Sequence, residues 1–354
     1  MKKFFKNKNM VTYAMVIIVY LICQLAISGT IDGFKMSRSL KGQLVPICVY
    51  IVMAVSLNLT VGISGELSLG HAGFMSVGAF SGVLISQWIL SAFPESPELV
   101  RLVLALVGGG IFAGVSGVLI GIPVLRLRGD YLAIVTLAFG EIIRNLINCI
   151  YFSLDGTALN FGFLNPNLPG KMIINGPMGA TGIKKLATFD AGFVLVLFTL
   201  FVVLNLVSSR TGRAIMAARD NRIAAESVGI NVTKYKMIAF VVSAALAGMA
   251  GALYALNYSA IQAAKFKFDT SILVLVFVVL GGIGSIRGSI IAATVLTVLP
   301  EMLRQFGTYR MLVYAIVLIV VMLATNNAAL AGYIRRATGV IFKKKNDTKG
   351  GDAA

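Results

Sequence analysis

The chain has 354 residues, of which 58% are apolar and 13% charged, and its formal net charge is +17. Soluble domains average about 45–50% apolar and about 25% charged residues, so a water-soluble globular fold is excluded. The positive balance fits a membrane protein with basic inner loops facing anionic lipid, and it gives no reason to expect nucleic-acid binding.

A hydrocarbon core about 30 Å thick needs roughly 20 apolar residues of helix. Ten apolar runs of about that size, some of them shorter, follow one another: 12–28, 44–62, 67–90, 102–125, 131–152, 189–209, 237–257, 270–283, 288–304 and 311–327. The expected fold class is an all-α polytopic membrane protein with about ten transmembrane helices. A cytoplasmic tail 1–11 precedes the transmembrane domain 12–327, and a basic tail 328–354 follows it. Eight or nine spans is the fallback, because 67–90 is rich in Gly and Ser and because only Gly281-Gly282-Ile283-Gly284 separates 270–283 from 288–304.

Residues 1–9 (MKKFFKNKN) make a basic start, but the apolar run after them is long and no small-x-small cleavage site stands out before Ser28-Gly29. A retained first helix is expected. Lys and Arg favour 1–11, 126–130, 210–236 and 328–354, which puts both termini in the cytoplasm. Lys35, Arg38 and Lys41 run against that bias.

The fourth run carries Gly108-Gly109-Gly110, Gly114, Gly117 and Gly121, and the seventh carries Ala244, Ala247, Gly248, Gly251, Ala252 and Ala255. Small residues let helix backbones approach closely in lipid, where little hydrophobic drive acts between helices. Tight packing explains them without a direct functional role. Cys23, Cys48 and Cys149 lie in apolar stretches and read as small hydrophobes. His71 is the single histidine, and no metal-ligand spacing is present.

Three polar groups stand out against this background. The run from Gly62 to Phe74 (GISGELSLGHAGF) has the Gly and Ser density of a broken or pore-facing helix, with Ser64, Glu66, Ser68, Gly70 and His71 as candidate gate residues. Irregular backbone at membrane depth survives where it is buried in protein or lines water. Arg126, Arg128 and Asp130 form a tight inner turn whose Asp can pair with either Arg. Glu141 and Arg144 have the i, i+3 spacing of an intramembrane ion pair. Structural pairing and a place on a pathway both fit each group.

The longest inner loop, 210–236, holds Arg213, Arg219 and Arg222 before a short Ala-rich stretch and Lys234 and Lys236 after it. Residues 217–228 are expected to form three helical turns stopping near Gly229. Charge alone suits a solvated loop. The small apolar surface of Ala224, Ala225, Val228 and Ile230 suits docking into a groove on a cytoplasmic partner.

Five blocks then carry a specific resemblance: SLNLTVGISGELSLGHAGFMSVGAF (56–80), RLRGDYLAIVTLAFGEIIR (126–144), AAESVGI (224–230), AFVVSAALAGMAGALYA (239–255) and VVLGGIGSIRGSIIAA (278–293). Together they resemble the permease subunits of branched-chain amino-acid ABC transporters, and the block from Arg128 to Ile142 is nearer the LivM than the LivH type. The resemblance implies a ten-helix permease like those of type II importers. It also implies a bacterial inner-membrane complex with a sister permease as heterodimer, two ATP-binding subunits and an extracytoplasmic binding protein.

It further implies that Arg219, Asp220, Arg222, Ala224, Ala225, Glu226 and Gly229 couple the chain to an ATPase. Ile223 stands where the general loop pattern has Glu, so that carboxylate is not carried over. Gly176-Pro177 replaces a usual Gly-Gly pair in the outer loop 153–188, where substrate is expected to be received.

No Gly-x-x-x-x-Gly-Lys-Ser/Thr phosphate loop is present, so no cofactor is expected on this chain and ATP belongs to partner subunits. The chain is expected to be a transport subunit and not an enzyme, moving leucine, isoleucine or valine by alternating access. The rivals are a permease for urea or another small amide, a secondary transporter using Glu66 or Glu141, and a membrane-embedded enzyme, which His71 alone does not support.

Overall fold

The computed structural model describes residues 2–28, 38–127 and 129–326. It is mostly helical, and each of the ten apolar runs is helical over most of its length. Helices α1 (Lys2–Ser28), α2 (Arg38–Asn58), α3 (His71–Ala92), α4 (Glu98–Val124) and α5 (Asp130–Asn148) come first. After them come α6 (Phe189–Ser208), α7 (Arg210–Asp220), α8 (Arg222–Ser227), α9 (Val232–Ala255), α10 (Phe268–Gly281), α11 (Ile286–Met302) and α12 (Arg310–Asn326). By length and composition, six segments are able to cross a membrane: Met10–Ile27, Leu40–Ile63, His71–Ala92, Glu98–Val124, Phe189–Ser208 and Val232–Ala255. The shorter Phe268–Gly281 is also apolar.

Capping side chains set several boundaries. Ser209, Asn221 and Asn231 each accept a hydrogen bond from the backbone N–H three residues on, at the starts of α7, α8 and α9. A Ser or Asn oxygen in that position replaces a missing intrahelical acceptor. Asn221 also corrects one expectation. The single helix foreseen over 217–228 is two helices, because extended backbone at Asn221 ends α7 while its side chain starts α8.

The run 131–152 also differs from expectation. Helix α5 stops at Asn148, and the chain turns into a five-stranded antiparallel sheet of order β2-β1-β3-β4-β5. The strands are β1 (Ile150–Asp155), β2 (Ala158–Phe163), β3 (Lys171–Asn175), β4 (Ala180–Thr181) and β5 (Ala260–Ile261). Part of what was read as loop 153–188 is therefore strand. Gly176-Pro177 lies in a short 3-10 turn between β3 and β4, with Gly176 at φ +46°. Helix α9 runs from the basic loop at its start to this sheet just past its end.

The core centres on α3, α4 and α9, which meet over small residues. A Cβ on Gly78 would lie 2.1 Å from the carbonyl oxygen of Gly248, and one on Gly248 would lie 2.3 Å from the Cβ of Ala113. The backbones touch at a distance that only glycine permits.

The chain divides into two compact units at Val298 and Leu299. Among the described residues, the second holds the end of α11, a 3-10 turn over Leu303–Tyr309 and α12. The basic tail 328–354 lies outside the described residues, as does Arg128.

Candidate translocation and coupling site

Helix α2 does not end in an ordinary cap. It widens into a π-helical turn over Leu59–Ile63, closed by Ser64 N–H donating to Leu59 O at 3.0 Å and Glu66 N–H donating to Thr60 O at 3.1 Å. The chain then runs without helix from Ser64 to Gly70, and α3 starts at His71 instead of residue 67. Single π turns of this kind are frequent at functional sites.

The irregular stretch is held from several sides. Leu69 N–H donates to Thr136 Oγ1 on α5, and Ala72 N–H donates to Ser271 Oγ on α10, both at 3.0 Å. His71 Nε2 is 2.8 Å from Ser56 Oγ on α2, and Ser243 Oγ on α9 donates to Ser56 O at 2.6 Å. Glu66 is ion-paired with Lys236 at the start of α9, and both side chains are mostly buried. Gly70 packs on the backbone of Thr136.

Ser64 and Ser68, expected on a water-filled path, are 1% and 2% exposed. Neither hydroxyl has a hydrogen-bond partner. In this conformation these two hydroxyls are packed inside protein, while Gly65 and Leu67 of the same stretch are exposed. Burial in protein is the other setting in which irregular backbone is tolerated in a membrane protein. Buried hydroxyls without partners are uncommon in native folds and mark the segment as a candidate for rearrangement.

Asn58, the last residue of α2, joins this stretch to the Gly-rich break between α10 and α11. Its Oδ1 accepts from Gly284 N–H at 2.8 Å, and its Nδ2 donates to Ser289 Oγ at 3.0 Å. Asn58, Ser56, Thr136, Lys236, Ser271 and Ser289 were not foreseen as part of the site. A fully buried Asn within an apolar run is the one signal among them that composition carries.

The basic loop reaches the same place. Arg219 Nη1 donates to Gly62 O at 2.9 Å, and Nε and Nη2 both reach Asp220 Oδ1, at 2.9 and 2.8 Å. Arg222 pairs with Glu226 at 2.9 Å along α8. Ala225 is buried in a small cluster with Ala218 and Val232, against which Ile230 packs. The faces turned to solvent are Ala224, Gly229 and two large apolar side chains, Ile223 and Val228, 80% and 74% exposed.

Elsewhere, Arg144 Nη2 lies 2.7 Å from Glu141 Oε2 on α5, and Glu141 Oε1 accepts from Phe268 N–H at the start of α10, 3.3 Å away. Arg126 and Asp130 are exposed, and among the described residues no ion pair joins them. No group of three or more His, Cys, Asp or Glu able to hold a metal ion occurs among the described residues.

Several apolar spans, with a helix break at residues 64–70 tied to a basic loop, define a multi-pass membrane protein. The profile of the family described as "Branched-chain amino acid transport system / permease component" matches residues 39–322. The chain is 34% identical over 324 residues to the high-affinity branched-chain amino acid transport system permease protein LivM of Salmonella typhimurium, covering 82% of this chain and 69% of that protein. It is 34% identical over 313 residues to the LivM of Escherichia coli K12, with the same coverage. Likeness extends to the ribose import permease RbsC of Escherichia coli K12, 26% identical over 87% of this chain and 92% of that protein. No solved structure matches the chain. The chain belongs to the branched-chain amino-acid transport permease family and is of the LivM type.

Proposed function

We infer that the chain is the membrane-spanning subunit of an ATP-driven importer that carries leucine, isoleucine and valine inward. The observation that carries this is the 34% identity to LivM over 82% of the chain. On this reading the fold is a ten-helix permease domain, 12–327, of the type II importer kind, with both termini in the cytoplasm of a bacterial inner membrane. The chain pairs with a sister permease, and two ATP-binding subunits meet it at 210–236. An extracytoplasmic binding protein delivers the amino acid at 153–188 and supplies most of the specificity. ATP stays on the partner subunits.

In the cycle that follows, closure of the ATPases moves α7 and α8, and the spans tied to them rearrange around the break at 62–74. The route from loop to break has a physical basis in the bond from Arg219 to Gly62 and the pair of Lys236 with Glu66. Glu66 and Glu141, the acids a secondary transporter would use, are both ion-paired, which favours an ATP-driven cycle.

The test is reconstitution of the permease pair with its ATPases and binding protein in proteoliposomes. Uptake of radiolabelled leucine that needs both ATP and the binding protein, and that unlabelled isoleucine and valine suppress, is the expected result. Uptake suppressed by ribose or urea instead, or driven by an ion gradient without ATP, would overturn it.

A further inference from the structure

Arg219 belongs to the segment assigned above to ATPase contact, yet its guanidinium reaches the opposite way, into the transmembrane break. The bond from Nη1 to Gly62 O spans 157 positions of sequence. Gly62 lies in the π turn Leu59–Ile63, and the chain leaves the helix directly after it. The end of a helix leaves carbonyls without intrahelical donors and carries partial negative charge. No further helical turn follows to supply a donor to Gly62. A cation from a distant helix meets both needs, as a C-terminal cap supplied in trans.

The fit around this bond is close. Gly65 sits at φ +76°, and a Cβ there would come within 2.6 Å of Arg219 Cγ, so only glycine lets the chain fold over the arginine stem. The pair of Lys236 with Glu66 fastens the next residue to the start of α9. On its other side Gly62 touches the break between α10 and α11, where a Cβ would lie 2.3 Å from Gly284 N. One carbonyl therefore stands between the cytoplasmic loop and two breaks in the helical bundle. Asp220, two-thirds exposed, holds the remaining face of the guanidinium and gives a partner at the surface a way to bear on it.

We propose that Arg219 is a positioning residue for transport, capping the π turn at Gly62 while α7 is at rest and releasing it when α7 moves. This rests on the importer function above, since the ATPases are what move α7. Release removes the only cation on that carbonyl among the described bonds, narrows the wide turn and re-aims Ser64, whose buried hydroxyl has no partner. Arg219 thus acts through the backbone of residues 59–66 and touches no substrate.

The experiment uses the full transporter with its ATPases, after removal of Cys23, Cys48 and Cys149. The readout for Arg219→Ala is transport per ATP hydrolysed by the complexes that form, so that any change in the amount of bound ATPase cancels. Leucine imported per ATP should fall at least about fivefold, the lower end of usual inter-site couplings. Arg219→Lys, which keeps a cation within reach, should restore most of the ratio. Independently of substrate, a maleimide probe should react with Ser64→Cys at rates that differ between nucleotide-free and ATP-trapped states, and Arg219→Ala should abolish that difference.

An unchanged leucine-to-ATP ratio in Arg219→Ala would overturn the proposal, as would a lysine variant no better than alanine. Complete loss of the ATPases from the Arg219→Ala complex would overturn it too, because the residue would then serve assembly. If the wild-type complex imports no branched-chain amino acid, the substrate reading fails by itself, and the labelling result still decides the role of Arg219.

Discussion

The side-chain carbonyl of Asn58 accepts the backbone N–H of Gly284 at 2.8 Å, joining two helix breaks 226 positions apart in sequence. Its amide also donates to Ser289 Oγ, so one fully buried side chain bonds a group within the α10–α11 break and another on α11. Replacing it with Ala leaves Gly284 N–H without its acceptor, which costs about 1–3 kcal/mol, while Ser289 Oγ keeps its bond to Ser285 O. Asn58→Ala should lower the melting temperature of the purified permease in detergent clearly, whereas Asn58→Gln, longer by one methylene, should recover little. An unchanged melting temperature in the alanine variant would show that the two breaks are not joined through this residue.

The meeting of α3 and α9 gives a sharper contrast, because two glycines in similar helices face different neighbours. A Cβ on Gly78 would lie 2.1 Å from a backbone oxygen, and backbone cannot rotate away as a side chain can. Gly78→Ala should therefore push the helices apart, at a cost in the overpacking range of about 1–3 kcal/mol or above. On Gly114 a Cβ would meet only Ala245 Cβ at 3.5 Å, an ordinary contact. Gly114→Ala should be neutral or stabilising, since Ala exceeds Gly in helix propensity by about 1 kcal/mol. Detergent melting curves of the two variants check the order, and equal effects would refute the packing account.

How far the sequence went depended on whether a signal was local. The apolar runs are local, and all ten coincide with helices in the structure. The sheet was legible only in part. Asp155-Gly156 between the alternating apolar residues Phe152, Leu154, Leu159, Phe161 and Phe163 is a hairpin signal, and the structure pairs Asp155 with Ala158 across it. The added strands β3 and β5 pair over distances that no local pattern reports.

The split of the coupling helix had a signal in the capping preference of Asn221, which the Ala-rich run around it masked. The π turn had none, because the bond from Arg219 to Gly62 O that supports it comes from 157 positions away. The Gly and Ser density at 62–74 pointed to broken helix. It did not distinguish a water-lined path from a packed segment, and the segment has both characters, with Ser64 and Ser68 buried and Gly65 and Leu67 exposed.

The basic loop offers a test that separates folding from docking. Ala225 is buried against Ala218 and Val232, so Ala225→Asp places a charge in the chain's own small core and should destabilise the permease itself. Val228, 74% exposed, has no such role in the chain. Val228→Asp should leave the permease folded, with a normal elution profile and melting curve, yet sharply reduce co-purification of the ATP-binding subunits. If Val228→Asp and Ile223→Asp both retain those subunits in full, the docking face lies elsewhere.

The ion pair on α5 should show an asymmetry that spacing alone does not foretell. Arg144 and Glu141 are 2.7 Å apart, with side chains 21% and 32% exposed, so the pair is neither fully buried nor free in solvent. Neutralising one partner leaves the other charge on an apolar helix face, where desolvation is costly. Glu141→Gln plus Arg144→Gln should therefore cost less than the sum of the single changes, with a coupling of about 0.5–3 kcal/mol, as for residues in contact. Glu141 has a second duty, because its Oε1 accepts from Phe268 N–H at the start of α10, where an anion also suits the helix dipole. Glu141→Gln keeps an acceptor oxygen for Phe268 N–H but loses the charge at the start of α10, so it should be the more damaging single change, lowering both melting temperature and transport more than Arg144→Gln does. A double-mutant cycle on melting temperature measures both effects. Simple additivity would dissolve the pair, and a larger effect from Arg144→Gln would remove Glu141 as the link between α5 and α10.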